Sequence, residues 1–201
     1  MNKIIKPFLF ILLAVFHACE MPLQTDYDYE PSVLDPHVDM TAWEFLQTRP
    51  ELFTTFMDAV VYAELQSYYQ QNDSMYTFLV LTETAMTNYM KSINPSAVTI
   101  QDLDKDRVTD MLKYHIVEGR YSSHYNELQP EPMFVQTLLR NEKGLMTMLV
   151  RKSPWNKLVG KIVVNDAGSN GNSPYRQART SNILPVNGVI HVFDSYCYYV
   201  K

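Results

Sequence analysis

The chain has 201 residues, of which 46% are hydrophobic and 19% are charged, and its net charge is -5. This length allows one domain with a sizeable core, and the composition excludes a chain that is disordered throughout. Lysines and arginines form no cluster, so we expect no nucleic-acid partner.

The N-terminus is typical of an exported protein. A positively charged start precedes the apolar run Pro7–Phe16, which is shorter than the roughly 20 residues of a membrane-spanning helix. Ala18 then precedes Cys19, a layout that resembles the lipobox of bacterial lipoproteins, in which the cysteine becomes the acylated N-terminus. We predict a signal peptide over residues 1–18 and lipidation at Cys19. An ordinary cleaved signal is the alternative.

We predict that residues 19–37 form a lipid-anchored flexible tether and that residues 38–201 form the folded domain. Residues 20–38 hold three prolines and five acidic residues and show no amphipathic period. The only other cysteine is Cys197. With Cys19 acylated, it has no intramolecular disulfide partner, so we expect a small buried side chain in the last strand.

Helices are predicted early in the domain. Thr41 and Glu44 have capping-box spacing, and Pro50 suits the first turn of a second helix, which is amphipathic. The apolar run Tyr76–Thr82 predicts a buried strand. Two further helices are expected, with the sequences ETAMTNYMKSI and DKDRVTDMLKYHI.

The second half is strand-like. The runs MFVQTLL, GLMTMLVRK, GKIVVND and VIHVFDSYCYYV are separated by turn signals, with turns at Arg140–Gly144 and Asn187-Gly188. We expect a flexible loop over Asn165–Thr180, which lacks a phosphate-loop ending and contains the possible anion contacts Arg176 and Arg179. Helices before strands indicate an α+β domain.

Four landmarks in this order resemble a fasciclin domain. They are YTFLVLTETAM, the pair Tyr114-His115, the strand opening at Thr137–Leu139, and VNGVIHVFD over Val186–Asp194. The resemblance implies a wedge of β-strands with helices packed beside it, the helices mostly in the first half. It also implies extracellular adhesion or binding, without enzymatic activity.

The positions of the histidines indicate that these residues have structural roles rather than roles in catalysis or metal binding. His191 lies between Val189 and Phe193 on one face of a strand, and His115 lies on the apolar face of its helix. We expect Tyr114, His115 and His191 to join helix to sheet. No metal-binding spacing, nucleophile elbow or cofactor motif is present, so no catalytic residue, metal or cofactor is predicted.

The function predicted is that of a non-enzymatic, lipid-anchored envelope protein of the outer membrane, exposed at the surface. Its partner would be an extracellular protein or polysaccharide. The alternative is a structural accessory subunit of an outer-membrane glycan-uptake assembly, and an envelope hydrolase is a weaker third. The oligomeric state stays open.

Candidate partner-binding residues lie on turns beside the family motifs, because loops carry contacts while a sheet positions them. Arg120, Tyr121 and His124 follow the last predicted helix, DKDRVTDMLKYHI, and come first. Asn187 and Asp194 in the last motif come second.

Overall fold

Helices occupy most of the first half of the domain, and strands most of the second half. The computed structural model describes residues 35–124, 127–152 and 160–201. The predicted signal peptide, Cys19 and the tether up to residue 34 lie outside the described residues. In the described part, no helix has the length and apolar character needed to cross a membrane.

Five α-helices are described: α1 (Ala42–Gln47), α2 (Pro50–Tyr62), α3 (Gln66–Gln70), α4 (Glu83–Ile93) and α5 (Lys105–Tyr114). The predicted capping box is confirmed, since the Thr41 side chain accepts from the Glu44 N–H and the Glu44 carboxylate accepts from the Thr41 N–H. Pro50 opens α2 as predicted. Asp104 caps α5 by accepting from the Arg107 N–H. These local signals fix the helix starts.

The first sheet contains β1 (Tyr76–Leu81), β2 (Ile116–Glu118), β7 (Thr180–Ile183) and β8 (Gly188–Phe193). Their order across the sheet is β2-β1-β8-β7. β8 runs parallel to β1, and the other two pairs are antiparallel. The parallel pair is tight at its start, because a Cβ on Gly188 would lie 2.0 Å from the Tyr76 carbonyl oxygen. Only glycine allows this approach.

The second sheet has the order β3-β4-β5-β6, with every pair antiparallel. Its strands are β3 (Met133–Gln136), β4 (Leu145–Arg151), β5 (Lys161–Val164) and β6 (Arg176–Gln177). A single β-bridge between Val117 and Thr137 joins the end of β3 to β2 of the first sheet. The order of helices and strands confirms the predicted α+β class.

The core lies between the helices and the two sheets. Its largest fully buried side chains include Tyr69, Phe56, Phe78 and Phe193. The Tyr69 ring stacks on Phe78 with centroids 4.5 Å apart and meets Phe56 edge-on at 6.1 Å. Burial of each such side chain contributes roughly 1.5–3 kcal/mol, so this aromatic cluster holds α2 and α3 on β1.

Two boundaries differ from the sequence predictions. The domain begins before residue 38, because the Leu184 N–H donates to the Pro36 carbonyl at 2.9 Å and the Val38 N–H donates to the Leu184 carbonyl at 3.0 Å. The last strand ends at Phe193, so Cys197 is buried as expected but lies outside the strand. The chain turns away after Phe193, whose carbonyl accepts the Thr82 N–H.

The expected flexible loop over residues 165–180 is instead tied to the domain. Asn165, Asn170 and Ser173 are buried, and Gly171 forms a parallel bridge with Val200. The prediction was wrong because asparagines and serines that look like exposed loop residues satisfy one another inside the domain.

Candidate functional site

His115 links the end of α5 to the C-terminal segment of the domain. Its Nδ1–H donates to the Met111 carbonyl at 2.7 Å, which satisfies an orphan carbonyl of the last helical turn. Its Nε2 accepts the Cys197 backbone N–H at 2.9 Å. The ring is fully buried, and desolvation lowers its pKa to about 4. His115 is therefore neutral at pH 7, with the tautomer fixed by these partners.

Tyr114 points from the same helix end toward the second sheet. Its hydroxyl donates to the Leu145 carbonyl at 3.3 Å and accepts from the Asn165 side-chain amide at 3.2 Å. The Asn165 side-chain oxygen in turn accepts from Asn170 at 2.9 Å. Burial raises the pKa of Tyr114. The adjacent Tyr114 and His115 thus join α5 to two different parts of the fold.

The segment that His115 holds forms one wall of an open groove of about 460 Å³. We call it the tyrosine groove, and its lining residues come from α4, α5, the turn after β3 and the segment after β8: Tyr89, Ile93, Arg107, Asp110, Met111, Tyr114, Leu139, Asn141, Lys143, Tyr196, Cys197, Tyr198 and Tyr199. This volume lies within the range of small-ligand sites, which is roughly 300–1,000 Å³.

Aromatic rings run continuously along the groove. Tyr89 meets Tyr196 edge-on with centroids 5.3 Å apart, and Tyr196 lies 5.3 Å from Tyr198. The Tyr89 hydroxyl donates to the Arg107 carbonyl at 3.1 Å, and the Tyr196 hydroxyl donates to Ser92 at 3.2 Å. Tyr89 is nearly buried, whereas Tyr198 is 40% exposed. The array therefore has an anchored base and an accessible outer ring.

His191 makes a second internal link, on the first sheet. Its Nε2–H donates to the Tyr121 carbonyl at 2.8 Å, and its Nδ1 accepts the Asn182 N–H at 3.1 Å. Full burial lowers its pKa to about 4. The Asn182 side chain continues the network to Ser122 and Ser123. These partners hold His191 inside the domain and engage both of its ring nitrogens.

The candidates Arg120, Tyr121 and His124 lie on the segment after β2. Arg120 is exposed and forms an ion pair with Glu127 at 2.6 Å. Tyr121 is half-buried against the core, and its N–H donates to the Thr77 hydroxyl at 2.9 Å. His124 is also half-buried. This segment offers less accessible surface than expected for a loop.

Asn187 and Asp194 have opposite environments. Asn187 is fully buried, where its side-chain oxygen accepts the Ala42 N–H at 2.8 Å and its amide donates to the Tyr69 carbonyl at 2.9 Å. It offers no atom to a partner, and we remove it from the partner-binding candidates. Asp194 remains accessible and pairs with Arg179 at 2.8 Å.

Within the described ranges, no group of three or more His, Cys, Asp or Glu side chains has a geometry that could hold a metal ion. The two possible anion contacts in the 165–180 segment already have partners within the chain. Arg179 pairs with Asp194, and Arg176 donates to the Tyr196 carbonyl at 3.0 Å.

The tyrosine groove is absent from the sequence predictions. The only local signal was the abundance of tyrosine, 14 in the chain, and the pair Tyr198-Tyr199. Neither signal shows which tyrosines share a surface, because Tyr89 and Tyr196 meet only after the chain has folded.

Comparisons with known proteins agree with this fold. The fasciclin domain model matches residues 51–197. A solved structure of a FAS1 domain pair from the insect cell adhesion molecule fasciclin I superposes with a TM-score of 0.56 at 14% identity, covering 78% of this chain and 50% of that one. The chain thus spans half the length of that structure. No curated protein matches at a significant level. The family match covers most of the chain, which therefore belongs to the fasciclin domain family.

Proposed function

We propose that this chain is a lipid-anchored protein of the outer membrane whose fasciclin domain holds a protein or polysaccharide partner outside the cell, without catalysing a reaction. Fasciclin domains are typically non-enzymatic adhesion domains, which supports the binding role. The signal-like start and the Ala18-Cys19 junction support the lipid anchor.

The tyrosine groove is the observation that carries the proposal. Tyrosine combines a large rigid apolar ring with a polar tip, which is why it is enriched where proteins contact partners. The outer rings of the groove are accessible, and their base is fixed through Tyr89 and Cys197. A surface that is already ordered loses little conformational entropy on binding.

The chemistry around the groove favours holding a ligand over transforming it. The nearest histidine, His115, is buried and uses both ring nitrogens internally. Cys197 is also buried, and burial raises the pKa of its thiol to about 12, which disfavours a nucleophilic thiolate. The exposed polar groups of the groove include the charged ends of side chains and tyrosine hydroxyls. These groups can bind a ligand through ion pairs and hydrogen bonds.

The test measures binding by the purified full-length chain in detergent. Envelope proteins are immobilised on one sensor surface, and envelope polysaccharides are immobilised on a second. We expect saturable binding to one surface, at least about tenfold weaker for Tyr198→Ala. Tyr175→Ala is the matched control, because Tyr175 is 37% exposed and also lies beside an arginine, with Arg151 5.4 Å from its ring, but lies outside the groove.

Two results would contradict the proposal. The first is the absence of binding to both sensor surfaces, which would contradict the adhesive function. The second result is binding that persists in Tyr198→Ala but is lost in Arg120→Ala, while both variants keep the parental melting temperature. It would show that the contact lies on the segment after β2.

A further inference from the structure

We infer that the tyrosine groove binds an acidic polysaccharide, with a sugar ring packed on Tyr198 and its acidic groups paired with Arg107 and Lys143. This inference rests on the binding function proposed above and names its ligand class. It follows from the ring array, the local charge and the elements that form the groove.

The accessible aromatic surface suits a sugar ring. Tyr198 is 40% exposed and is supported from behind by Tyr196 at 5.3 Å. The Arg176 guanidinium lies 6.0 Å from the Tyr198 ring, and its Nε donates to the Tyr196 carbonyl at 3.0 Å. The ring face is therefore held in place before a ligand arrives. A pyranose presents an apolar C–H face of similar size to such a ring, with hydroxyls at its edge for the polar tips.

The charge of the groove is opposite to that of the chain. Arg107 and Lys143 line it with two cations against the single carboxylate of Asp110, while the whole chain carries a net charge of -5. In the described part of the chain, the ion pairs lie elsewhere and include none of these three groups. The exposed guanidinium and ammonium groups can therefore pair with carboxylate or sulfate groups of a ligand.

The elements that form the groove disfavour a peptide partner. None of the lining residues belongs to a strand, so the groove has no open strand edge at which an extended peptide could add. The aromatic lining itself is largely apolar, so a helical partner with its apolar stripe is disfavoured only by the charged rim. Arg107 and Lys143 are exposed there, beside Asp110. An acidic polysaccharide can contact both parts of the groove: its acidic groups pair with the cations of the rim, and its sugar rings pack on the tyrosine rings.

The experiment measures equilibrium binding of the full-length chain in detergent to four polymers. Polygalacturonate supplies carboxylates on sugar rings, dextran sulfate supplies sulfates, dextran is the neutral sugar, and polyglutamate is the acidic polymer without sugar. We expect saturable binding to at least one acidic polysaccharide, and at least about tenfold weaker binding to dextran and polyglutamate. The preferred acidic polymer distinguishes carboxylate from sulfate recognition.

Variants separate the ring contact from the charge contact. Tyr198→Ala and the double variant Arg107→Gln, Lys143→Gln should each weaken binding about tenfold. Tyr198→Phe should retain binding because it keeps the ring. The controls Tyr175→Ala and Arg151→Gln should bind as the parent does, because this pair has similar chemistry outside the groove.

Three results would overturn the inference. One is no binding to either acidic polysaccharide, and another is equal binding to polyglutamate. The third is binding that is unchanged in the groove variants at parental melting temperature. If an envelope protein still binds through Tyr198 in the earlier assay, the proposed adhesive function stands and only the ligand class is wrong.

Discussion

The backbone N–H of Cys197 donates to Nε2 of His115 at 2.9 Å, although the two residues are 82 positions apart in the chain. The bond connects the end of α5 to the segment that carries Tyr196, Tyr198 and Tyr199. A buried ring that makes no contact with solvent thus sets the position of the most accessible aromatic surface of the groove.

Replacement of His115 should therefore loosen the groove. We expect His115→Ala to lower the free energy of unfolding by about 1–3 kcal/mol, because the Cys197 N–H and the Met111 carbonyl lose their partner inside the protein. Hydrogen exchange should increase at residues 196–199 more than in β8. Equal protection of this segment in parent and variant would contradict the assigned link.

The two buried histidines predict acid sensitivity in a defined pH range. Burial lowers both pKa values from 6.5 to about 4, so the unfolded chain binds more protons between these values. Stability is then complete above pH 6.5 and falls as the pH drops toward 4, by roughly 3 kcal/mol for each histidine.

Denaturant titrations from pH 7 to pH 4.5 measure this slope. Carboxylates with lowered pKa values, such as Glu44 and Glu64, keep their stabilising effect above their ordinary pKa of 4.5 and begin to lose it only near the acid end of this range. His191→Gln should reduce the slope by about half. A parent protein whose stability is constant over this range would show that the histidines are not held neutral.

Tyr69 has the one side-chain polar atom that is buried without a hydrogen-bond partner in the described part of the chain. We expect Tyr69→Phe to keep the ring stacked on Phe78 and raise the free energy of unfolding by about 1 kcal/mol, because the desolvated hydroxyl is removed. Tyr114→Phe is the matched control, and loss of its bonds should lower stability by about 1 kcal/mol. Equal effects of the two variants would argue against this assignment.

Gly188→Ala should disrupt the parallel pairing of β1 and β8. The new Cβ would meet the Tyr76 carbonyl oxygen at 2.0 Å, so the strands must separate. We expect a loss of more than about 3 kcal/mol. Gly168→Ala is the control, because it has no atom within 4 Å and only backbone strain at φ +75°, which costs about 1–2 kcal/mol. Thermal unfolding of both variants tests whether Gly188→Ala loses more stability than Gly168→Ala.

The lipid anchor is tested at Cys19. We predict that Cys19→Ala prevents acylation, so the protein leaves the membrane fraction and loses the mass of its acyl chains. Two or three chains anchor a protein stably, whereas one anchors it only reversibly, since each buried CH₂ contributes about 0.8 kcal/mol. Cys197→Ala serves as the control. A Cys19→Ala protein with parental mass and membrane association would contradict lipidation.

The helices and most strands could be predicted because their signals are local. Thr41 and Glu44 mark a helix start within four residues, and the apolar run from Tyr76 marks a buried strand. The tyrosine groove and the parallel pairing of β1 with β8 could not be predicted in the same way. The groove depends on contacts between residues such as Tyr89 and Tyr196, which are distant in sequence. The strand pairing likewise depends on distant partners such as Phe78 and Ile190.

Asn187 shows why a turn signal can mislead. Asn-Gly marks a turn, and turn residues are usually exposed. Here the Asn187 side chain faces inward and accepts from the first N–H group of α1, that of Ala42. Asn165 and Asn182 behave in the same way, because their side-chain oxygens accept the backbone N–H groups of Thr147 and Ser123. The sequence shows the residue type but does not show the buried backbone group that each amide satisfies.

Hydroxyl-radical footprinting of the full-length chain, with and without its bound partner, tests the location of the binding surface most directly. The tyrosine groove predicts protection of Tyr196, Tyr198 and Tyr199 in the complex, and no change at the equally exposed Tyr175. Protection of Tyr121 and His124, with Tyr198 as reactive as in the unbound chain, would contradict it.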